Sequence, residues 1–212
     1  MKKKLPWLLL ALLLVCIVAA FWWFGSRAQR QLRFTKTSVE IVENDIDIVY
    51  GSDSACITIF MFASYTCRHC HDFLLEDLPL VQQHYIDSGL VRFVVKPIDL
   101  AENHDMMSAL QLAGCMSSDG NADDIHELLL TEPTAVYTDE FRELIDDIIN
   151  SNPELAECLM ADNFSCVKQN NRLFNAIGSK GTPIFVVGSH VYKGRRGFEK
   201  FCKMIEYELN NK

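Results

Sequence analysis

The sequence predicts an α/β fold in which a set of helices interrupts a sheet. Residues 57–63 are almost all apolar, and their side-chain types alternate with the two-residue period of a buried strand. Apolar residues at helical spacing follow directly, so we expect a helix immediately after this strand. Further apolar strands are predicted at residues 91–96 and 184–188. Because residues 104–178 are predicted to form several helices, we expect them to be inserted between two halves of the sheet.

Local patterns also predict the elements around the insertion. The first helix, residues 67–87, contains Pro79, which is expected to kink it. Gly188-Ser189 is expected to form the turn of a hairpin whose second strand covers residues 190–193. A final helix is predicted over residues 197–210. These elements complete the predicted core.

The first 24 residues are predicted to be a membrane anchor or a signal sequence. Lysines 2–4 precede 20 uncharged residues, Leu5 to Phe24, which are enough to cross a bilayer as a helix. Val18-Ala19-Ala20 resembles a cleavage site, but the aromatic residues 21–24 continue the apolar run and are typical of a membrane interface. The pattern favours an anchor, and either alternative would deliver the chain to a space where disulfides persist.

The charge distribution separates the first residues from the rest of the chain. The whole chain has 20 basic and 28 acidic residues, and residues 1–33 hold six of the basic residues and none of the acidic ones. The remainder therefore has 14 basic and 28 acidic residues, a formal charge of −14. This charge argues against nucleic acid as a partner. Residues 25–45 are polar without a clear period and are predicted to be a tether to a domain covering residues 46–212.

The tetrad Cys67-Arg68-His69-Cys70 lies where the first strand becomes a helix. A thiol at a helix N-terminus faces unpaired N–H groups and the positive end of the helix dipole, which favour the nucleophilic thiolate. We therefore expect Cys67 to be the exposed attacking sulfur and Cys70 the buried resolving sulfur. The positive charges of Arg68 and His69 would stabilise the thiolate and make the disulfide more oxidising.

Two alternatives for this motif are a structural cysteine pair and half of a zinc site. Zinc is disfavoured because Cys67, His69, Cys70 and His71 alone give poor tetrahedral geometry. No second pair of cysteines follows at the spacing of a zinc module. No metal site is therefore predicted.

Four sequence stretches resemble the DsbA family of thiol:disulfide oxidoreductases. They are FASYTCRHC, LVRFVVKPIDL, HDMMSALQLAGCM and FNAIGSKGTPIFVVGSHVYKG. The resemblance covers residues 46 to 210, and Arg68 departs from it, since proline is commoner at that position. It implies a thioredoxin-like core with an inserted helical domain at about residues 100–180, as the local patterns also indicate.

The resemblance also implies a role for the loop before the last hairpin. Pro183 would be preceded by a cis peptide bond and would face Cys67, which leaves the backbone of Thr182 to pair with an extended substrate. Relatives often have a buried carboxylate six residues before the first cysteine of the motif, where this chain has Met61. Without that base, deprotonation of Cys70 should be harder, which favours an oxidase over a reductase.

Five further cysteines lie outside the N-terminal segment: Cys56, Cys115, Cys158, Cys166 and Cys202. Because five is odd, at least one stays free or pairs with another chain. Cys115 and Cys158 resemble paired cysteines of some family members, so this pairing is favoured. A Cys158–Cys166 disulfide is the rival, and five free, buried thiols are the third alternative.

The resemblance implies an extracytoplasmic enzyme that donates the Cys67–Cys70 disulfide to reduced exported proteins. A quinone-linked membrane oxidase of the DsbB type would reoxidise the enzyme. Residues 5–24 would tether the enzyme to the inner membrane, with the domain in the periplasm. The sequence has no nucleotide or flavin motif, so no cofactor is expected.

Two other functions stay open on the same fold. An isomerase or reductase is compatible with a threonine before Pro183, although residues 25–45 are too short for the dimerisation domain typical of isomerases. The other alternative is a non-enzymatic, membrane-tethered module that binds substrates in the groove beside Pro183.

Overall fold

The computed structural model describes residues 12–20, 33–116, 122–161 and 164–212. The chain divides into two compact units, and the boundary along the sequence falls between residues 34 and 35. In the first unit, residues 12–20 are helical with exposed side chains. Of the predicted anchor or signal sequence, residues 1–24, the structure describes residues 12–20, and the other positions lie outside the described residues. Within the described ranges, no helix has the length and apolar character needed to cross a membrane.

A six-stranded mixed sheet organises the second unit. Its strands are β1 (Phe34–Lys36), β2 (Ile48–Tyr50), β3 (Ile57–Ala63), β4 (Val91–Pro97), β5 (Ile184–Val187) and β6 (His190–Lys193). Their order across the sheet is β1-β6-β5-β3-β4-β2. Strands β3 and β4 are parallel, whereas β5 is antiparallel to β3 and to β6, and β2 is antiparallel to β4. The four longer strands match the predicted ones.

The two short strands were not predicted from the sequence. β1 lies within the segment expected to be a polar tether, residues 25–45, and β2 begins three residues after the end of that segment. Three residues are too few to show a strand period. Their pairing with β6 and β4 at the sheet edges, rather than their own pattern, makes them strands.

A long helix, α1, follows β3. It runs without interruption through α-helical Arg68–Asp72, π-helical Phe73–Asp77, α-helical Leu78–Val81 and π-helical Gln82–Ile86. Pro79 lies between the two π-helical segments. Because proline removes one N–H donor and crowds the preceding turn, regular α-helical bonding is not maintained around it.

Most of the remaining helices belong to the insertion. They are α2 (His104–Met116), α3 (Ala122–Thr131), α4 (Asp139–Ser151), α5 (Pro153–Ala161) and α6 (Ser165–Ala176), and α7 (Phe198–Asn210) ends the chain. The inserted helices have a core of their own, which includes Leu110, Leu129, Val136, Phe141 and Val167. This agrees with the predicted helical insertion between the two halves of the sheet.

Aromatic residues fasten α1 and α7 to one face of the sheet. The Phe73 ring of α1 lies 4.8 Å from the Phe185 ring of β5 and 5.0 Å from the Phe201 ring of α7, between centroids. Each buried phenylalanine contributes about 1.5–3 kcal/mol relative to exposure. On the opposite face, Phe62 of β3 packs against Phe174 of α6. The sheet is therefore covered on both sides, and the packing of Phe73 fixes the N-terminal part of α1 against the sheet.

A buried ion pair joins the segment before β2 to the sheet and the insertion. Lys96 of β4 is fully buried and donates to the Asp47 carboxylate and, at 2.8 Å, to the carbonyl of Val42. Asn170 of α6 donates to Asp47 and to the carbonyl of Pro97, each at 3.1 Å. Burial raises the pKa of Asp47 and lowers the pKa of Lys96, and the attraction between the two charges opposes both shifts.

Candidate active site

The sheet register brings the two predicted parts of the site together. Phe62, near the end of β3, pairs with Ile184, the first residue of antiparallel β5. The residues that follow β3 therefore lie beside the residues that precede β5. This places the loop leading to Cys67 against Thr182 and Pro183.

Cys67 is the N-cap of α1. Its backbone is extended, with φ −91° and ψ 111°, and its carbonyl accepts hydrogen bonds from the N–H groups of Cys70 and His71 at 2.9 and 3.1 Å. Its Sγ is half-buried and lies 3.5 Å from the carbonyl oxygen of Thr182. The thiol therefore lies at the N-terminus of the helix, where a thiolate is favoured.

The surroundings lower the pKa of Cys67. Burial by itself raises the pKa of this thiol, but hydrogen bonds outweigh it and bring the pKa below its ordinary value. These bonds come from the side chain of Thr182, the backbone N–H and thiol of Cys70, and the backbone N–H of His69. Cys67 is thus the more acidic and more reactive thiol of the pair.

Cys70 has the opposite environment. It is fully buried one turn into α1, and burial raises the pKa of Cys70 to about 12. Hydrogen bonds from the Thr182 side chain and the Ser64 backbone offset only part of that effect. In its reduced form the pair therefore consists of a neutral Cys70 thiol beside a more acidic Cys67.

Arg68 and His69 occupy the first turn of α1 with exposed side chains. The hydrogen bonds that lower the pKa of Cys67 include the backbone N–H of His69. A catalytic contribution from the Arg68 and His69 side chains stays a prediction.

The loop before β5 completes the site. The peptide bond between Thr182 and Pro183 is cis, in line with what the family resemblance implies. The carbonyl of Pro183 accepts a hydrogen bond of 2.8 Å from the N–H of Gly194, which follows β6. Gly194 has φ +76°, a conformation that favours glycine at this position.

The insertion reaches the site through Tyr65, a contact that sequence reasoning missed. Tyr65 lies two residues before Cys67, is buried in the core of the insertion, and its hydroxyl is 2.6 Å from Nδ1 of His126 on α3. Sequence reasoning assigned His126 no role, because no local pattern links it to a residue 61 positions away. Burial raises the pKa of Tyr65 and keeps its hydroxyl protonated.

A disulfide joins Cys115 of α2 to Cys158 of α5 within the insertion. It is the pairing favoured above, and its Cα atoms are 5.9 Å apart. The rival pairing with the half-buried Cys166 does not form, because Cys158 is bonded to Cys115. Cys56 and Cys202 are free thiols.

Fold and site together define the class: a thioredoxin-type protein with a two-cysteine centre at the start of a helix. The profile of the thioredoxin family matches residues 43–207, which is most of the chain. The chain therefore belongs to the thioredoxin family.

Two relatives are similar in sequence over most of the chain. A Rickettsia prowazekii protein, provisionally named a protein-disulfide oxidoreductase, is 27% identical over 193 residues, which cover 88% of this chain and 70% of the relative. Disulfide bond formation protein D of Bacillus subtilis is 27% identical over 172 residues, which cover 77% of this chain and 78% of the relative.

Solved structures of DsbA proteins have the same fold. Wolbachia pipientis α-DsbA1 aligns with a TM-score of 0.61 at 18% identity, covering 78% of this chain and 92% of that chain. Oxidised BdbD from Bacillus subtilis aligns with a TM-score of 0.61 at 19% identity, covering 84% and 97%. The predicted DsbA resemblance and the predicted fold, a thioredoxin-like core with a helical insertion, are confirmed.

Proposed function

We propose that this DsbA-like protein-disulfide oxidoreductase acts as an oxidase, which donates the Cys67–Cys70 disulfide to reduced exported proteins. The opposite pKa shifts of the two thiols carry the proposal. A disulfide is more oxidising when its reduced form is more stable, and a stabilised thiolate at Cys67 has that effect.

The reaction is two successive thiol–disulfide exchanges. A substrate thiolate attacks Sγ of Cys67, forms a mixed disulfide, and displaces Cys70, which takes up a proton. A second substrate thiolate then attacks the substrate sulfur of the mixed disulfide and displaces Cys67 as a thiolate. The substrate loses two electrons to become a disulfide, and the Cys67–Cys70 pair gains them. A leaving thiol of low pKa departs faster, which suits Cys67.

The environment of Cys70 favours donation over reduction. A reductase resolves its mixed disulfide by attack of the second cysteine, which must first become a thiolate. With a pKa of about 12, Cys70 is rarely a thiolate at neutral pH. Met61, fully buried in β3, cannot act as a base for it. Attack by Cys70 on the mixed disulfide is therefore slow, and the second substrate thiol resolves the mixed disulfide instead.

Binding and recycling are proposed from the same arrangement and from the resemblance. The exposed side of Cys67 beside Thr182 would accept an extended substrate segment, with the Thr182 backbone pairing to it. A quinone-linked membrane oxidase of the DsbB type would restore the disulfide. An extracytoplasmic location with residues 5–24 as an inner-membrane tether is supported by the uncharged run and by the redox chemistry.

Oxidation of a reduced, unfolded two-cysteine protein by the purified disulfide form tests the proposal. We expect one substrate disulfide per protein molecule, no product with Cys67→Ser, and unchanged yield with Cys202→Ser, a variant of a free cysteine on α7. Equilibration with glutathione should show a reduced form more stable than the oxidised form. Faster repair of scrambled disulfides than oxidation of reduced substrate would favour the isomerase, and substrate binding that persists without exchange would favour the binding module.

A further inference from the structure

Arg195 connects the helix of the two thiols to the loop of Pro183. It directly follows Gly194, whose N–H holds the carbonyl of Pro183 at 2.8 Å. From there its guanidinium reaches α1 and makes three ion pairs. They are Nη1 to Asp72 at 3.3 Å, Nη2 to Glu76 at 2.5 Å and Nε to Asp77 at 2.7 Å.

The ion pair with Asp77 is a stronger anchor than an ordinary surface contact. The side chain of Asp77 is only 7% exposed and that of Arg195 is 21% exposed. Exposed ion pairs contribute little because water and salt screen them, whereas a buried carboxylate depends on its partner. The hydrogen bonds that Arg195 donates to Asp77 and Glu76 raise the pKa of Arg195, which stays charged. The planar guanidinium contacts two turns of α1 at once, which a lysine ammonium cannot do.

We propose that Arg195 is a positioning residue for the Cys67–Cys70 pair. It holds α1, and with it Cys67 at the helix N-terminus, against the loop that carries Thr182 and Pro183. The inference rests on the proposed function only in taking these two thiols as the redox centre.

Geometry is the first way in which Arg195 would act. Sγ of Cys67 lies 3.5 Å from the carbonyl of Thr182, and hydrogen bonding by the Thr182 side chain is among the contacts that favour the thiolate. These contacts cross between α1 and the loop, so they depend on the distance between the two elements. Arg195 fixes that distance because its backbone belongs to the loop side and its guanidinium is bound to α1.

Charge is the second way. Asp72, Glu76 and Asp77 follow Cys67 by five to ten residues, which is roughly 7–15 Å along a helix. Arg195 offsets part of their negative charge. Its loss would leave their negative charge uncompensated near a thiolate that they repel, which should add a smaller upward shift to the pKa of Cys67 than the change in position does.

Arg195→Gln is the direct test, with Arg142→Gln as the matched control. Arg142 also binds two carboxylates, Asp105 at 2.9 Å and Asp139 at 2.7 Å, but it lies on α4 of the insertion. The readouts are the pH profile of Cys67 alkylation and the equilibrium constant with glutathione. For Arg195→Gln we expect an upward shift in the alkylation profile of about half a unit and a disulfide roughly threefold less oxidising, and for Arg142→Gln neither change.

Arg195→Lys separates charge from position. It keeps the charge and loses the multiple contacts, so it should recover less than half of the shift. Full recovery by lysine would overturn the positioning role. A lower melting temperature in Arg195→Gln without a change in alkylation profile or glutathione equilibrium would also overturn it.

A second variant keeps the inference testable if Arg195→Gln does not fold. Asp77→Asn removes the buried anchor of Arg195 on α1 and keeps the charge of Arg195. Loss of a negative charge alone would move the Cys67 profile to lower pH, so an upward shift supports the positioning role, and an unchanged or downward-shifted profile would count against it. Both profiles can be measured even if the protein proves unable to oxidise substrates, so failure of the proposed function is distinguishable from failure of this inference.

Discussion

The buried thiol of Cys70 makes the stability of the reduced protein depend on pH in a predictable direction. Burial raises the pKa of Cys70 to about 12, whereas an unfolded chain has a thiol pKa of about 8.5. When folding raises the pKa of an acidic group, the free energy of unfolding is unaffected at pH values below the unfolded-state pKa. It falls as the pH rises from that value towards the folded-state pKa. At about pH 10 the unfolded thiol is almost fully ionised and the folded one is not, which costs about 2 kcal/mol of unfolding free energy.

Two variants isolate this effect. Cys67→Ser cannot form the disulfide and retains Cys70, and Cys67→Ser/Cys70→Ser differs from it only by the titrating thiol. Urea unfolding of both at about pH 7 and pH 10 should show the first variant losing about 2 kcal/mol more than the second. Equal losses, or alkylation of Cys70 with a midpoint near the free value of about 8.5, would refute the assignment of Cys70 as the buried neutral thiol.

Three further outcomes are expected from other parts of the structure. Replacing Cys115 and Cys158 together with alanine should cost about 4 kcal/mol in urea unfolding, because their disulfide closes a loop of 43 residues, and the glutathione equilibrium should stay unchanged. Lys96→Met should cost about 3–5 kcal/mol by leaving the Asp47 carboxylate buried without its partner, and a compensating Asp47→Leu should restore much of it, as urea unfolding would show. Tyr65→Phe should cost about 1 kcal/mol in the same assay by removing its hydrogen bond to α3, and an unchanged unfolding midpoint would contradict this.

The elements predicted well from the sequence are those whose signal is local. β3 and α1 show their periods within about ten residues, and the helix N-terminus at Cys67 follows from the change between them. Strands β1 and β2 have no such signal, since three-residue edge strands exist through their neighbours. Pro79 correctly marked a disturbed helix, but the π-helical turns on either side of it arise from packing that the sequence pattern does not contain.

The sequence by itself determined the chemistry: a pair of thiols three residues apart at the start of a helix, where the backbone favours a thiolate. The tertiary structure decided how different the two thiols are. Thr182 comes from 115 residues away to contact Cys67, and Arg195 comes from 118 residues beyond Asp77 to bind α1. Such contacts follow from strand register and helix packing. Those long-range arrangements also bury Cys70, so its raised pKa is a property of the fold rather than of the motif.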